Sequence, residues 1–71
     1  MQFQYGKTTY QVTSTEDLSQ YSHLAESMKA GGKEPTAYYA GKVLKSGAVS
    51  NKQGGMFYRS IKNPDCFVKV F

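Results

Sequence analysis

Glu34 to Gly47, EPTAYYAGKVLKSG, fits two kinds of backbone, and the rest of the chain assembles differently around each. As a strand, one face carries Tyr38, Ala40, Lys42 and Leu44, and the other Tyr39, Gly41, Val43 and Lys45. Both faces mix apolar and charged residues, so neither shows the clean alternation of a half-buried strand. As a helix, Pro35 suits the first turn, Ala37, Ala40 and Leu44 line one side with Val43 beside them, and Tyr38, Lys42 and Lys45 turn away. Gly47 is placed to end it. Two features oppose a helix: Gly41 in its interior, at roughly 1 kcal/mol, and the Tyr38-Tyr39 pair, which suits a strand. On balance the spacing predicts a helix over 36–45, with a strand as the alternative.

Upstream, MQFQYGKTTYQV predicts a β-hairpin. With Gly6-Lys7 as a two-residue turn, Phe3 pairs with Tyr10 and Met1 with Val12, which gathers the large side chains on one face. TSTEDLSQYSHLAESMKAGG, residues 13–32, predicts a helix over 15–29. Thr13 and Glu16 have the spacing of a capping box, Leu18, Tyr21, Leu24, Ala25 and Met28 form an apolar stripe, and Gly31-Gly32 can stop it. Downstream, residues 47–63 predict two strands around a loop at Asn51–Gly55. NPD at 63–65 is a turn, and CFVKVF, 66–71, is a last short strand with Cys66, Val68 and Val70 on one face.

Seventy-one residues make one domain, and a chain this short buries only about 60% of its unfolded surface. That leaves little material for an enzyme cleft. One cysteine excludes an internal disulfide and suggests a reducing, cytoplasmic setting. No apolar run approaches the ~20 residues of a membrane span, and the N-terminus does not resemble a secretory signal. The net charge of +4 is unevenly spread. Residues 1–34 hold three lysines against four carboxylates, net −1, while residues 35–71 hold six cations against Asp65 alone, net +5. A one-sided cationic surface attracts polyanions.

Catalytic and metal chemistry have little to stand on. His23 and Cys66 are the single members of their types and lie far apart in the sequence, so no cofactor or metal cluster is expected. No pattern ties a base to any serine. GKTT at 6–9 has the end of a phosphate-binding loop without its beginning, and a hairpin turn accounts for it. Cys66 is expected to be a small buried hydrophobe, and His23 an exposed helical residue.

The order helix, glycine turn, second helix, basic β-loop remains. Leu24 to Ser60, with LAE, a glycine turn, PT, an aromatic-bearing segment, GAV and then GGMFYR, resembles a winged helix-turn-helix DNA-binding domain over about half the chain. The resemblance implies an α+β fold: N-terminal β-hairpin, helix, second helix and C-terminal β-wing. It further implies a non-catalytic regulator, as in transcription, that contacts duplex DNA through Thr36, Tyr38, Tyr39, Lys42 and Lys45 of the second helix. Asn51, Lys52 and Gln53 would form the wing tip, with Arg59 flanking it. Independently, lysines neutralise phosphates, and Asn and Gln reach base edges or phosphates. If 36–45 is instead a strand, the fold becomes one helix packed on a four- or five-stranded antiparallel sheet. Tyr38, Tyr39, Phe57 and Tyr58 then offer a stacking platform for single-stranded nucleic acid. A different class also fits the size and the lack of a catalytic site: a small phage- or plasmid-type inhibitor that occludes a host or defence nucleoprotein enzyme.

Overall fold

The computed structural model describes residues 1–70. Five antiparallel strands, β1 (Gln2–Tyr5), β2 (Thr8–Asp17), β3 (Thr36–Val43), β4 (Val49–Arg59) and β5 (Phe67–Lys69), form one sheet in chain order, and one helix, α1 (Ser22–Ala30), joins β2 to β3. The fold is therefore not a winged helix: the would-be second helix is β3 and the would-be wing is part of β4. Phe71, the last residue of the expected final strand, lies outside the described residues.

The missing alternation in residues 36–45 has a structural cause. β3 is the middle strand, bonded to β2 on one side and β4 on the other. Tyr38 and Ala40 enter a cluster on the inner face, and Ala37 packs with Leu18 and Met28 on the outer face. A strand covered on both sides loses its period-two pattern. Gly41, unfavourable in a helix, suits this position because a Cβ there would press on the Val49 side chain and the Ser50 carbonyl.

The sheet curls until its first and last strands meet. Phe3 of β1 stacks on Phe67 of β5, with ring centres 4.0 Å apart and planes 10° apart. Inside the curl Phe57 is 0% exposed. Phe3 and Tyr5 meet its ring edge-on at 4.9 and 5.5 Å, and Tyr10 tilts against it at 4.9 Å. Burying one such side chain stabilises the fold by roughly 1.5–3 kcal/mol. The N-terminal hairpin has the expected register, Phe3 opposite Tyr10, and Gly6 takes the positive φ of 64° that its tight turn requires.

The segment 13–21 departs from expectation. β2 runs on to Asp17 and α1 begins only at Ser22. Thr13 does not cap a helix. It sits where β2 carries one extra residue between Val12, opposite Ala40, and Ser14, opposite Tyr39, and its hydroxyl donates to the Tyr39 carbonyl at 3.2 Å. β-branched Thr13 and Thr15 favour this extended path. The Asp17 carboxylate accepts from the Ser19 amide at 2.9 Å and turns the chain toward the helix. Leu18, Ala25 and Met28 are buried, but Tyr21 and Leu24 remain 51% and 43% exposed, so the packed stripe is narrower than the spacing predicts. The final strand also buries the opposite set: Phe67 is inside, while Cys66 and Val68 are exposed.

β4 is one long strand with an interruption. Opposite it, β3 advances two residues, Ala40 to Lys42, while β4 advances five, Gly55 to Ser50. The surplus is a bulge at 51–54. The expected loop at Asn51–Gly55 is thus a swelling within a strand, and the true β3–β4 turn lies at Leu44–Ala48, closed by the Leu44 amide donating to the Ala48 carbonyl at 2.8 Å.

Candidate nucleic-acid interface

Strand direction sorts charge along the molecule, which measures 40 × 21 × 20 Å. At one end lie the Gly6-Lys7 turn and the Leu44–Ala48 turn of the neighbouring hairpin. Lys7 and Lys45 sit in these turns. Lys42 lies just above them, opposite Tyr10 and Ser50, and Lys52 is in the bulge. At the other end lie α1, the β4–β5 connection and all five Asp and Glu side chains: Glu16, Asp17, Glu26, Glu34 and Asp65. Lys29, Lys33, Arg59 and Lys62 share that end, so it is nearly neutral, whereas the turn end, to which the fold adds Lys7, holds no carboxylate. Once residues 36–45 extend, pairing of β2 with β3 is the signal that would have placed Lys7 there.

The expected contact residues separate into two sets. Lys42, Lys45, Asn51, Lys52 and Gln53 belong to the long β3–β4 hairpin and its bulge, and Tyr39 lies on the outer face beside that bulge. Thr36 is elsewhere, at the helix end of β3 opposite Asp17. Tyr38 is buried in the inner cluster. Arg59 is held in place: its guanidinium lies 5.3 Å from the Tyr38 ring centre and 5.2 Å from that of Phe67. Its Nε is 3.5 Å from Glu34 Oε2, close enough for ion pairing but without hydrogen-bond alignment. An Nη hydrogen of Arg59 points to the Met1 sulfur at 3.2 Å. The Tyr38 hydroxyl donates to Glu34 at 3.4 Å. Burial pushes the Tyr38 phenol above its ordinary pKa; the Arg59 charge opposes this and Glu34 adds to it. These groups brace the sheet.

Around Tyr39 both neighbouring strands carry surplus residues, Thr13 on β2 and the 51–54 bulge on β4. Between them lies a shallow groove of about 480 Å³, lined by Thr13 and Ser14 of β2, Tyr39 of β3, and Asn51, Gly54, Gly55 and Met56 of β4. The Tyr39 hydroxyl donates to Glu16 Oε2 at 3.2 Å, and this bond, with the carboxylate charge behind it, raises the phenol pKa. No pattern in the chain marks the groove, because bulges leave no periodic trace.

Among the described residues no three His, Cys, Asp or Glu side chains gather to hold a metal ion, and no helix is long and apolar enough to cross a membrane. Comparison with known protein families, with curated proteins and with solved structures finds no match.

Proposed function

We propose that this chain is a non-catalytic nucleic-acid-binding module that grips phosphates with the turn end of its sheet. The observation that supports this is that Lys7, Lys42 and Lys45 lie in or next to the turns at one end of the sheet and Lys52 in the neighbouring bulge, while none of these segments holds a carboxylate; Glu16, bonded to Tyr39, reaches only the edge of the bulge. None of the four lysines has a carboxylate partner among the described residues. Such an end attracts a polyanion, and each lysine that neutralises a phosphate releases a counterion. The contact mode differs from a helix in a groove, since α1 sits at the end opposite these turns. The approach is by a two-stranded ribbon, β3–β4, with Asn51 and Gln53 beside Lys52.

Four phosphate contacts give a slope of log affinity against log salt of roughly −3 to −4. The test is binding of duplex and single-stranded oligonucleotides across a salt series, repeated with Lys42→Ala, Lys45→Ala and Lys52→Ala combined. The combined variant should melt like the parent and lose most of the salt slope. Absence of affinity at low salt overturns the reading. A stable complex with an acidic protein surface in that case would favour the inhibitor class, which would use the same lysine end.

A further inference from the structure

We propose that the groove beside Tyr39 holds one unpaired base of a single-stranded nucleic acid, with the base stacked on the Tyr39 ring. This rests on the nucleic-acid reading above and adds to it the form of the nucleic acid. Tyr39 is 37% exposed although it lies on a central strand. Met28 and Leu18 cover Ala37 on the same face, but that cover does not extend to Tyr39. The Tyr39 hydroxyl donates to Glu16 at 3.2 Å, which favours one ring orientation on the sheet surface. Aromatic rings fixed on a sheet surface are the usual stacking platform for single strands.

The remaining walls suit a flat, polar-edged guest. Gly54 and Gly55 line the groove without side chains. Ser14 on one side and Asn51 on the other bring a hydroxyl and an amide, which between them donate and accept at a base edge. Thr13 is already committed to the Tyr39 carbonyl. Lys52 follows Asn51 in the bulge, so the cation needed for the phosphate of the same nucleotide is adjacent in sequence to the groove wall. A duplex hides its base faces in its own stack, so only an unpaired base can enter.

The experiment compares three ligands: a single strand of about 12 nucleotides, within the usual span of such sites, an abasic strand of equal length and charge, and the matching duplex. The base-bearing strand is made once as DNA and once as RNA. Wild type should bind at least one base-bearing strand roughly 5- to 150-fold more tightly than the abasic one. Tyr39→Phe, which keeps the ring, should retain most of that preference. Tyr39→Ala should lose it while binding the abasic strand as wild type does. Equal affinity of wild type for base-bearing and abasic strands overturns this proposal and leaves the phosphate reading standing. Preference retained in Tyr39→Ala also overturns it, because the base then stacks elsewhere. No salt-sensitive binding of any strand removes both.

Discussion

A Cβ on Gly54 would strike the carbonyl oxygen of Ala40. The two backbones meet where the β4 bulge folds back on β3, and the same Cβ would lie 2.8 Å from the Gly41 Cα. Backbone atoms in a central strand cannot swing aside as a side-chain tip can. Gly54→Ala should therefore destabilise the domain by about 1–3 kcal/mol through overpacking. Gly31→Ala is the control. Its Cβ would meet only carbonyls at 3.5 and 3.6 Å, ordinary contact, and stability should stay within about 0.5 kcal/mol. Urea melts of both variants check this, and equal midpoints would refute the close approach.

The inner rings should act in concert. Phe57→Ala should cost about 3–5 kcal/mol. Phe3→Ala and Phe67→Ala should each destabilise, and the double variant should fall short of their sum by about 0.5–1.5 kcal/mol, the coupling of a stacked pair. Strict additivity in a double-mutant cycle would mean that the two edge strands do not meet through these rings.

Arg59 and Lys52 carry the same charge and should fail in opposite ways. Arg59→Ala removes the group that spans Tyr38, Phe67 and Glu34, and it should lower the melting temperature. Lys52→Ala removes a bulge residue and should leave stability within about 0.5 kcal/mol, while reducing the salt slope of nucleic-acid binding by about 0.7–0.9. Parallel melting and salt-titration curves separate them. A Lys52→Ala variant that melts early but binds normally would reverse the assignment.

Acid should act on the turn into the helix. The Asp17 carboxyl is held below its ordinary value of 3.8, chiefly by hydrogen bonds from Ser19. Because the folded pKa is depressed, the stability it lends is present above the unfolded pKa and fades as pH falls through the lower folded value. An NMR titration should place the Asp17 midpoint below 3.8, with the Ser19 amide moving in step. A midpoint at or above that value, or a still Ser19 amide, would show that the bond does not persist in solution.

How much of this was legible in the chain depended on whether a residue's neighbours were local. The Phe3–Tyr10 register followed from a two-residue turn and alternating rings. Charge alone grouped Lys42, Lys45 and Lys52 with Arg59, Lys62 and Lys69, and the fold sends Arg59 and Lys62 to the helix end. Tyr38 and Tyr39, adjacent in sequence, were grouped as contacts, but a strand sends them to opposite faces, one into the core and one to the groove. Thr13 and Glu16 copied the spacing of a helix cap while belonging to a strand, because the same small polar residues serve caps and bulges alike. The helix of residues 36–45 failed for a further reason: its apolar residues face two different partners, and only the assembled sheet shows which.

The chain-order sheet described above has a kinetic consequence. Every strand pairs with the one before it, a meander, but only the β1–β2 and β3–β4 hairpins begin at tight turns; β2 meets β3 across the whole helical connection, from Asp17 opposite Thr36 to Tyr10 opposite Lys42. Pairings that close locally form sooner than those that bring remote segments together. A far longer closure is the meeting of Phe3 with Phe67, which joins the two ends of the described chain. Loop-closure entropy makes that the natural last step of assembly. Stopped-flow measurements should then show Phe67→Ala accelerating unfolding and leaving the folding rate nearly unchanged, a φ-value near zero. A slowed folding limb would put ring closure in the nucleus instead.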